Sequence, residues 1–184
     1  QSGTLPGTKF TSFYTLMDKH PHILDIYEYI LLLDDDVLYE NGDIERLFSI
    51  VQQHGWEIAQ ASLSTDSQCS FQVFFNPNRG GWRQANGIEI MMPVYSTRIL
   101  NKVKELLSQS ISGWGFDVAL SMVAAKEGFH AAVVDDIIAR HTKPINADIG
   151  QYYQMLHQAQ IYPEIEFTHL QKKYGFTKPL FYEI

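Results

Sequence analysis

The apolar run Tyr29-Ile-Leu-Leu-Leu33 stops abruptly at Asp34-Asp35-Asp36, and no other feature of the chain restricts its fold so strongly. The run falls far short of the roughly 20 apolar residues needed to cross a bilayer. Being continuous rather than alternating, it predicts a strand buried on both faces, as in a mainly parallel sheet. The pattern recurs at residues 131–134, again ending in aspartates, Asp135-Asp136.

Between and around these runs the apolar spacing is helical. Phe10, Phe13, Tyr14, Leu16 and Met17 predict a helix over residues 9–19, stopped by Pro21. Ile44, Leu47, Phe48 and Val51 predict another, capped by Asn41-Gly-Asp43 and closed by Gly55. Strands are expected at 57–61, 71–75 and 88–94. Helices are expected at 97–109 and 116–126 and, beyond Pro144, at 148–160 and 167–174. Strands alternating with helices give an α/β domain, with sites at the carboxyl ends of its parallel strands.

Composition removes several function classes. With 45% hydrophobic and 19% charged residues over 184 positions, the chain reads as one globular domain. Fourteen basic against 21 acidic side chains leave a net charge of −7, which argues against a protein built to grip nucleic acid or anionic membrane. Cys69 is the one cysteine, so neither an internal disulfide nor a thiolate zinc site is expected. No transmembrane run or signal-peptide core is present, and a reducing, cytoplasmic setting is expected, the cytoplasmic face of a membrane included. The chain opens on Gln rather than Met, as a processed product or a piece of a longer protein would.

Three polar constellations carry chemistry. In extended chain Asp34 and Asp36 point one way and Asp35 the other. Two converging carboxylates repel unless a cation lies between them, and a hard divalent ion with open positions for phosphate answers that need. An acidic turn is the plainer alternative. In Gly113-Trp114-Gly115-Phe116-Asp117, the glycines let backbone and indole approach a ligand, and Asp117 opens a helix where the dipole favours a carboxylate. Equally, Trp114 is core and Asp117 a helix-end charge. Val133-Val134-Asp135-Asp136 leads to Arg140-His141, and His141 would complete a mixed oxygen–imidazole site that suits manganese. Asp135 and Asp136 are not separable by sequence: one faces the site while the other caps a turn. Glu89, on the expected 88–94 strand, is a second acidic candidate whose buried carboxylate would need a partner; a satisfied structural glutamate is the plainer reading. Trp82 and Arg83, in the long polar loop 76–87, are candidates for covering donor phosphate or acceptor sugar, or are plain loop residues. Tyr152, Tyr153, Tyr162 and Phe167 read as packing residues.

The order of Asp34-x-Asp36, Trp114-Gly-Phe-Asp117 and His141 resembles the GT-A fold of nucleotide-sugar glycosyltransferases. More narrowly, Trp56-Glu-Ile-Ala-Gln-Ala-Ser-Leu63, Glu89-Ile-Met-Met-Pro-Val-Tyr-Ser96, Gly113-Trp-Gly-Phe-Asp117 and Val133-Val-Asp135 are similar to a glycosyltransferase-like family of uncharacterised activity, domain of unknown function 707. The resemblance spans residues 27 to 144. It implies a GT-A-like core over 1–144, with a mixed, mainly parallel sheet between helices, and a helical extension of the same domain over 145–184. It departs from that fold at the start: 28 residues precede the first strand, so the early nucleotide-binding strands are absent from this chain or the nucleotide site is rudimentary.

The resemblance also implies a reaction. A sugar would pass from a nucleoside-diphosphate sugar to a hydroxyl of a glycan or glycoconjugate, as in polysaccharide biosynthesis. Asp34, Asp36 and His141 would hold Mn2+ or Mg2+. Asp117 would be the general base of an inverting enzyme or an acceptor-orienting group in a retaining one. Asp35, Trp114, Gly115, Trp82 and Arg83 would contact donor or acceptor. Two other readings compete. A haloacid-dehalogenase-like, Mg-dependent phosphohydrolase also begins with an apolar strand and Asp-x-Asp, but Leu38 stands where a small or β-branched residue is usual. A non-catalytic carbohydrate- or partner-binding module would keep the scaffold without the donor site.

Overall fold

The computed structural model describes residues 7–145, 150–177 and 181–184. The first helix, α1 (Lys9–Lys19), buries Phe10, Phe13 and Met17, the spacing that predicted it. A short α2 (Ile23–Ile26) leads into β1 (Tyr29–Leu31), and the chain turns through the aspartates into β2 (Val37–Asn41). The turn is closed by a hydrogen bond from Val37 N–H to Asp34 O. Asp43 then caps α3 (Ile44–His54), its carboxylate accepting from Arg46 N–H at 2.7 Å, and Gly55 ends that helix at φ 65°. A left-handed residue there suits glycine, which has no Cβ to clash.

β3 (Ile58–Leu63) is buried at every position. A 3-10 turn at Gln72–Phe74 stands where a strand was expected. The polar loop contributes an unexpected strand, β4 (Trp82–Ala85), and residues 88–93, expected as a strand, are not one; the strand there, β5 (Val94–Ser96), shares only Val94 with the expected span. The helix expected over 97–109 divides into α4 (Thr97–Val103) and a 3-10 segment, Lys104–Ser108. After α5 (Phe116–Lys126), β6 runs over Ala131–His141, straight through the aspartates that were to end it. Last come α6 (Gln151–Gln158) and α7 (Pro163–Tyr174), the latter starting earlier than the apolar spacing suggested because Pro163 occupies its first turn. Part of the expected 148–160 helix lies outside the described residues.

The domain is α/β with a mixed sheet, but the sheet is not mainly parallel. Its order is β1-β5-β3-β6-β2, with β4 also on β6. β3 and β6 pair in parallel, whereas β1·β5, β2·β6, β3·β5 and β4·β6 are antiparallel. The apolar run at 29–33 misled because β1 pairs only with β5 and keeps partly open faces. β6 is the organising strand. Its first half lies between β3 and β4. After a register break, Ala61 opposite Val134 but Ser62 opposite Ile138, its second half lies between β3 and β2. The break lets residues 135–137 bulge and bend the strand. α3 packs on β3 and β6, and α7 packs on α5.

Candidate active site

A cavity of about 1000 Å³ opens beside the Asp34–Asp36 turn. Asp34, Asp35, Asp36, Trp114, Gly115, Asp117 and His141, seven of the nine residues singled out from sequence, line it, together with Lys9 and Glu89. Trp82 and Arg83 do not.

Asp34 and Asp36 reach the cavity from a turn rather than from the alternation of a strand. The backbone N–H of Asp34 donates to Met91 O at 2.8 Å, which ties the turn to the segment before β5. The carboxylate of Asp34 lies 2.6 Å from the ammonium of Lys9, at the start of α1. Lys9 also donates to the carbonyls of Ile90 and Met91. Burial pushes the Asp34 carboxyl up and the Lys9 ammonium down, while each opposes the shift in the other. Asp35 is exposed and faces Lys143 at 3.3 Å.

Asp36 meets β6. Its backbone carbonyl accepts from Thr142 N–H at 2.9 Å, and its Oδ1 lies 3.3 Å from Nε2 of His141. The other ring nitrogen, Nδ1, is 3.0 Å from the carbonyl of Gln68. A carbonyl only accepts, so Nδ1 carries the proton. Nε2 then faces a carboxylate oxygen, and if it carries no proton the two are both acceptors. Two acceptors at that distance require a proton or a cation between them. The donor set, one carboxylate and one imidazole oriented through its far nitrogen by a backbone carbonyl, fits a divalent ion. Asp34 is the nearby third ligand, a second carboxylate at present committed to Lys9. Among the described residues no three Asp, Glu, His or Cys side chains are already closed into a ligand cluster. Six-coordinate hard ions commonly leave several positions to water and phosphate.

The opposite wall comes from the loop before α5. Glu166 of α7 clamps this loop, its carboxylate accepting from Ile111 N–H at 2.9 Å and from Ser112 N–H at 2.8 Å. Gly115 adopts φ 75°, and a Cβ there would meet the Phe167 ring at 3.0 Å, so this glycine serves close packing against α7. The indole of Trp114 is half-buried, and its Nε1 donates to the hydroxyl of Tyr153 at 3.0 Å. Tyr152, also on α6, donates to the carbonyls of Ile111 and Ser112. Tyr152 and Tyr153, read from sequence as packing residues, therefore brace the loop and line the cavity as well.

Asp117 is the first acidic residue of α5, and its Oδ1 accepts from Val118 N–H at 2.8 Å. Burial pushes its carboxyl up to about 7. Glu89 is 7% exposed, with Oε2 accepting from Ile90 N–H at 3.0 Å. Burial first, and then the charge of Asp117, pushes Glu89 up to about 8. Neither has an ion-pair partner among the described residues.

The remaining expectations fall elsewhere. Arg83 is buried against Asp135 at 2.8 Å and donates to the carbonyls of Val73 and Phe75, an internal brace for β4 and β6. Asp136 accepts from Gly81 N–H at 2.8 Å. Trp82 is exposed and packs edge-on to Trp56, which stacks on His54. Sequence reasoning missed Lys9, a lone lysine whose partners lie far along the chain. For Glu89 a signal existed, an acidic residue inside an otherwise apolar segment with no basic neighbour.

Residues 10–82 match the model of a family described as protein of unknown function (DUF707). That is under half of the chain. The matched segment holds the Asp34–Asp36 turn and stops before Glu89, Asp117 and His141. Among solved structures, the crystal structure of A197 from STIV is similar at 13% identity and a TM-score of 0.47, over 73% of this chain and 67% of that one. No curated protein matches. No described helix is long and apolar enough to cross a membrane.

Proposed function

We propose that the cavity is the active site of a metal-dependent glycosyltransferase of GT-A type, using a nucleoside-diphosphate sugar and a glycan or glycoconjugate hydroxyl. The observation that carries this reading is the pairing of His141 Nε2 with Asp36 Oδ1 at 3.3 Å beside Asp34, in the cavity that Asp117 also lines. Asp34, Asp36, Asp117 and His141 come from separate parts of the chain and line one opening.

Asp36 and His141, with Asp34 once released from Lys9, would hold Mn2+ or Mg2+. Such an ion supplies charge neutralisation for a departing diphosphate. Apart from Lys9 and Lys143, the charged side chains that line the cavity are carboxylates, so a diphosphate has little else to bind. In an inverting transfer, Asp117 takes the proton of the acceptor hydroxyl. The freed oxygen bonds the anomeric carbon, and the electron pair of the breaking bond leaves with the diphosphate. A carboxylate whose pKa lies near neutrality is suited to that role. The indole of Trp114 offers an apolar face to a sugar ring. A thermal-shift screen of UDP-, GDP-, CMP- and TDP-sugars, with and without manganese, tests the reading. Stabilisation that needs both metal and one nucleotide supports it; stabilisation by metal alone, or by neither, overturns it.

A further inference from the structure

A second, smaller hollow of about 290 Å³ lies at the other end of the sheet, where β3 and β6 begin and β4 ends. The large cavity is reached at His141, so the 11 residues of β6, at about 3.3 Å each, hold the two openings apart. The floor of the hollow is aromatic. The indole of Trp56 is backed by the His54 ring, whose centroid lies 4.3 Å away at an interplanar angle of 4°. The Trp82 indole meets Trp56 at 4.8 Å and 62°, and it is 44% exposed. The polar side is braced as well. Glu57 accepts from the Ser96 hydroxyl through one oxygen and meets Arg98 Nη2 through the other. The Arg98 guanidinium in turn lies 4.5 Å over the Phe129 ring. Bonding through Nη2 engages at most two of its five N–H groups, so donors remain at the rim beside the Gln84 amide.

We propose that this hollow is a second binding site, separate from the large cavity, for a short neutral oligosaccharide. Charge selects the ligand class. Of the Asp, Glu, Lys and Arg residues described, only Glu57 and Arg98 line it, and they neutralise each other. A nucleotide or phosphate therefore meets no uncommitted lysine or arginine there. An alkyl chain would leave the polar groups of Gln84 and Arg98 facing it without partners. A pyranose matches both walls. Its C–H face lies on the negative face of an indole, and its hydroxyls reach the donors and acceptors of the rim. The volume, at the lower end for a small-molecule site, suits a ligand of that size. Because His54 backs Trp56 and Glu57 holds Arg98, little side-chain freedom is lost when the ligand arrives. The site stands on these residues and does not rest on the glycosyltransferase reading.

The test is calorimetric titration of the full chain with neutral pentasaccharides of α-glucose, β-glucose, xylose, mannose or N-acetylglucosamine, with EDTA present and nucleotide absent. Binding of at least one is expected. Trp82→Ala, a truncation at an exposed position of an edge strand, should weaken it about 10-fold. Gln84→Ala should weaken it about 3-fold through the lost amide. Trp82→Phe, which keeps a ring in place, should retain most of the affinity. Far-UV circular dichroism checks that each variant is folded. No binding by any of the sugars, or binding that Trp82→Ala leaves at the wild-type level, overturns the site. A wild-type dimer in ultracentrifugation that Trp82→Ala dissociates overturns it too, because the hollow would then be a subunit contact. Metal and donor play no part in this measurement, so failure of the glycosyltransferase reading would be seen separately, in the nucleotide-sugar screen.

Discussion

The imidazole of His141 is held from behind by the carbonyl of Gln68, 3.0 Å from Nδ1, while Nε2 faces Asp36 Oδ1 at 3.3 Å. A ring fixed in this way has its free nitrogen aimed before any ligand arrives. Asp36→Ala should abolish manganese-dependent stabilisation in calorimetry while leaving the far-UV circular dichroism unchanged. His141→Ala should weaken manganese at least ~10-fold. Manganese affinity at the wild-type level in both variants would remove the metal assignment.

Lys9 sits where it competes with a metal for Asp34. Lys9→Met should cost about 1–3 kcal/mol, since it leaves a half-buried carboxylate without its charged donor. Manganese should partly restore the lost stability, and Asp34→Asn in the same chain should relieve most of it. The measurement is a double-mutant cycle in urea with and without manganese. A metal response identical to wild type would mean that Asp34 takes no part in binding the ion.

Asp117→Asn should spare nucleotide-sugar binding and slow transfer by about 10²–10⁴-fold, the usual contribution of a positioned base. In wild type the rate should rise with pH as Asp117 loses its proton, because burial has raised its pKa. Collapse of donor affinity in Asp117→Asn would place this residue on the donor side instead.

Arg83 provides the contrasting case. Its guanidinium is buried against Asp135 and is the donor to two loop carbonyls. Arg83→Leu should cost about 3–5 kcal/mol, the usual effect of stranding a buried partner charge. At a temperature where the variant is folded, manganese affinity should match wild type. A stable Arg83→Leu protein with impaired ligand binding would return Arg83 to the donor contacts expected from sequence.

Glu166 reaches from α7 to two backbone N–H groups of the loop that carries Trp114. Glu166→Ala should cost about 1–3 kcal/mol, because those donors lose a charged acceptor. The emission of Trp114 should change as the loop loosens, read against a Trp114→Phe control. Unaltered stability and emission would show that Tyr152 and Tyr153 hold the loop without Glu166.

What could be read from the sequence was whatever depends on near neighbours. Helical spacing located α1, α3 and α5, and the glycines at 113 and 115 marked a tight loop at the start of α5. Asp34, Asp36, Asp117 and His141 were singled out by the company of apolar runs and glycines. Partner choice over long distances was not readable. Nothing near Lys9 announces Asp34, and nothing near Arg83 announces Asp135. Sheet direction was misjudged for the same reason. An apolar run reports that a strand is buried, whereas its direction relative to a neighbour is decided by segments many residues away. For Trp82 and Arg83 the sequence leaves a ligand-covering loop and a plain loop both open and misses β4, because polar and glycine-rich sequence looks alike whether it binds a ligand or turns into an edge strand.

The bent strand β6 has a bearing on how the molecule comes into being. β2, β3 and β4 all pair with it, and it is made after each of them. A ribosome therefore releases Asp36 long before the strand that delivers His141 beside it, and three earlier strands wait unpaired along one side for the same late arrival. Pairings of such long sequence separation form slowly. The interval is when this chain most needs protection from its neighbours, and substitutions along β6 should show themselves first as low yield of folded protein rather than as a faulty one.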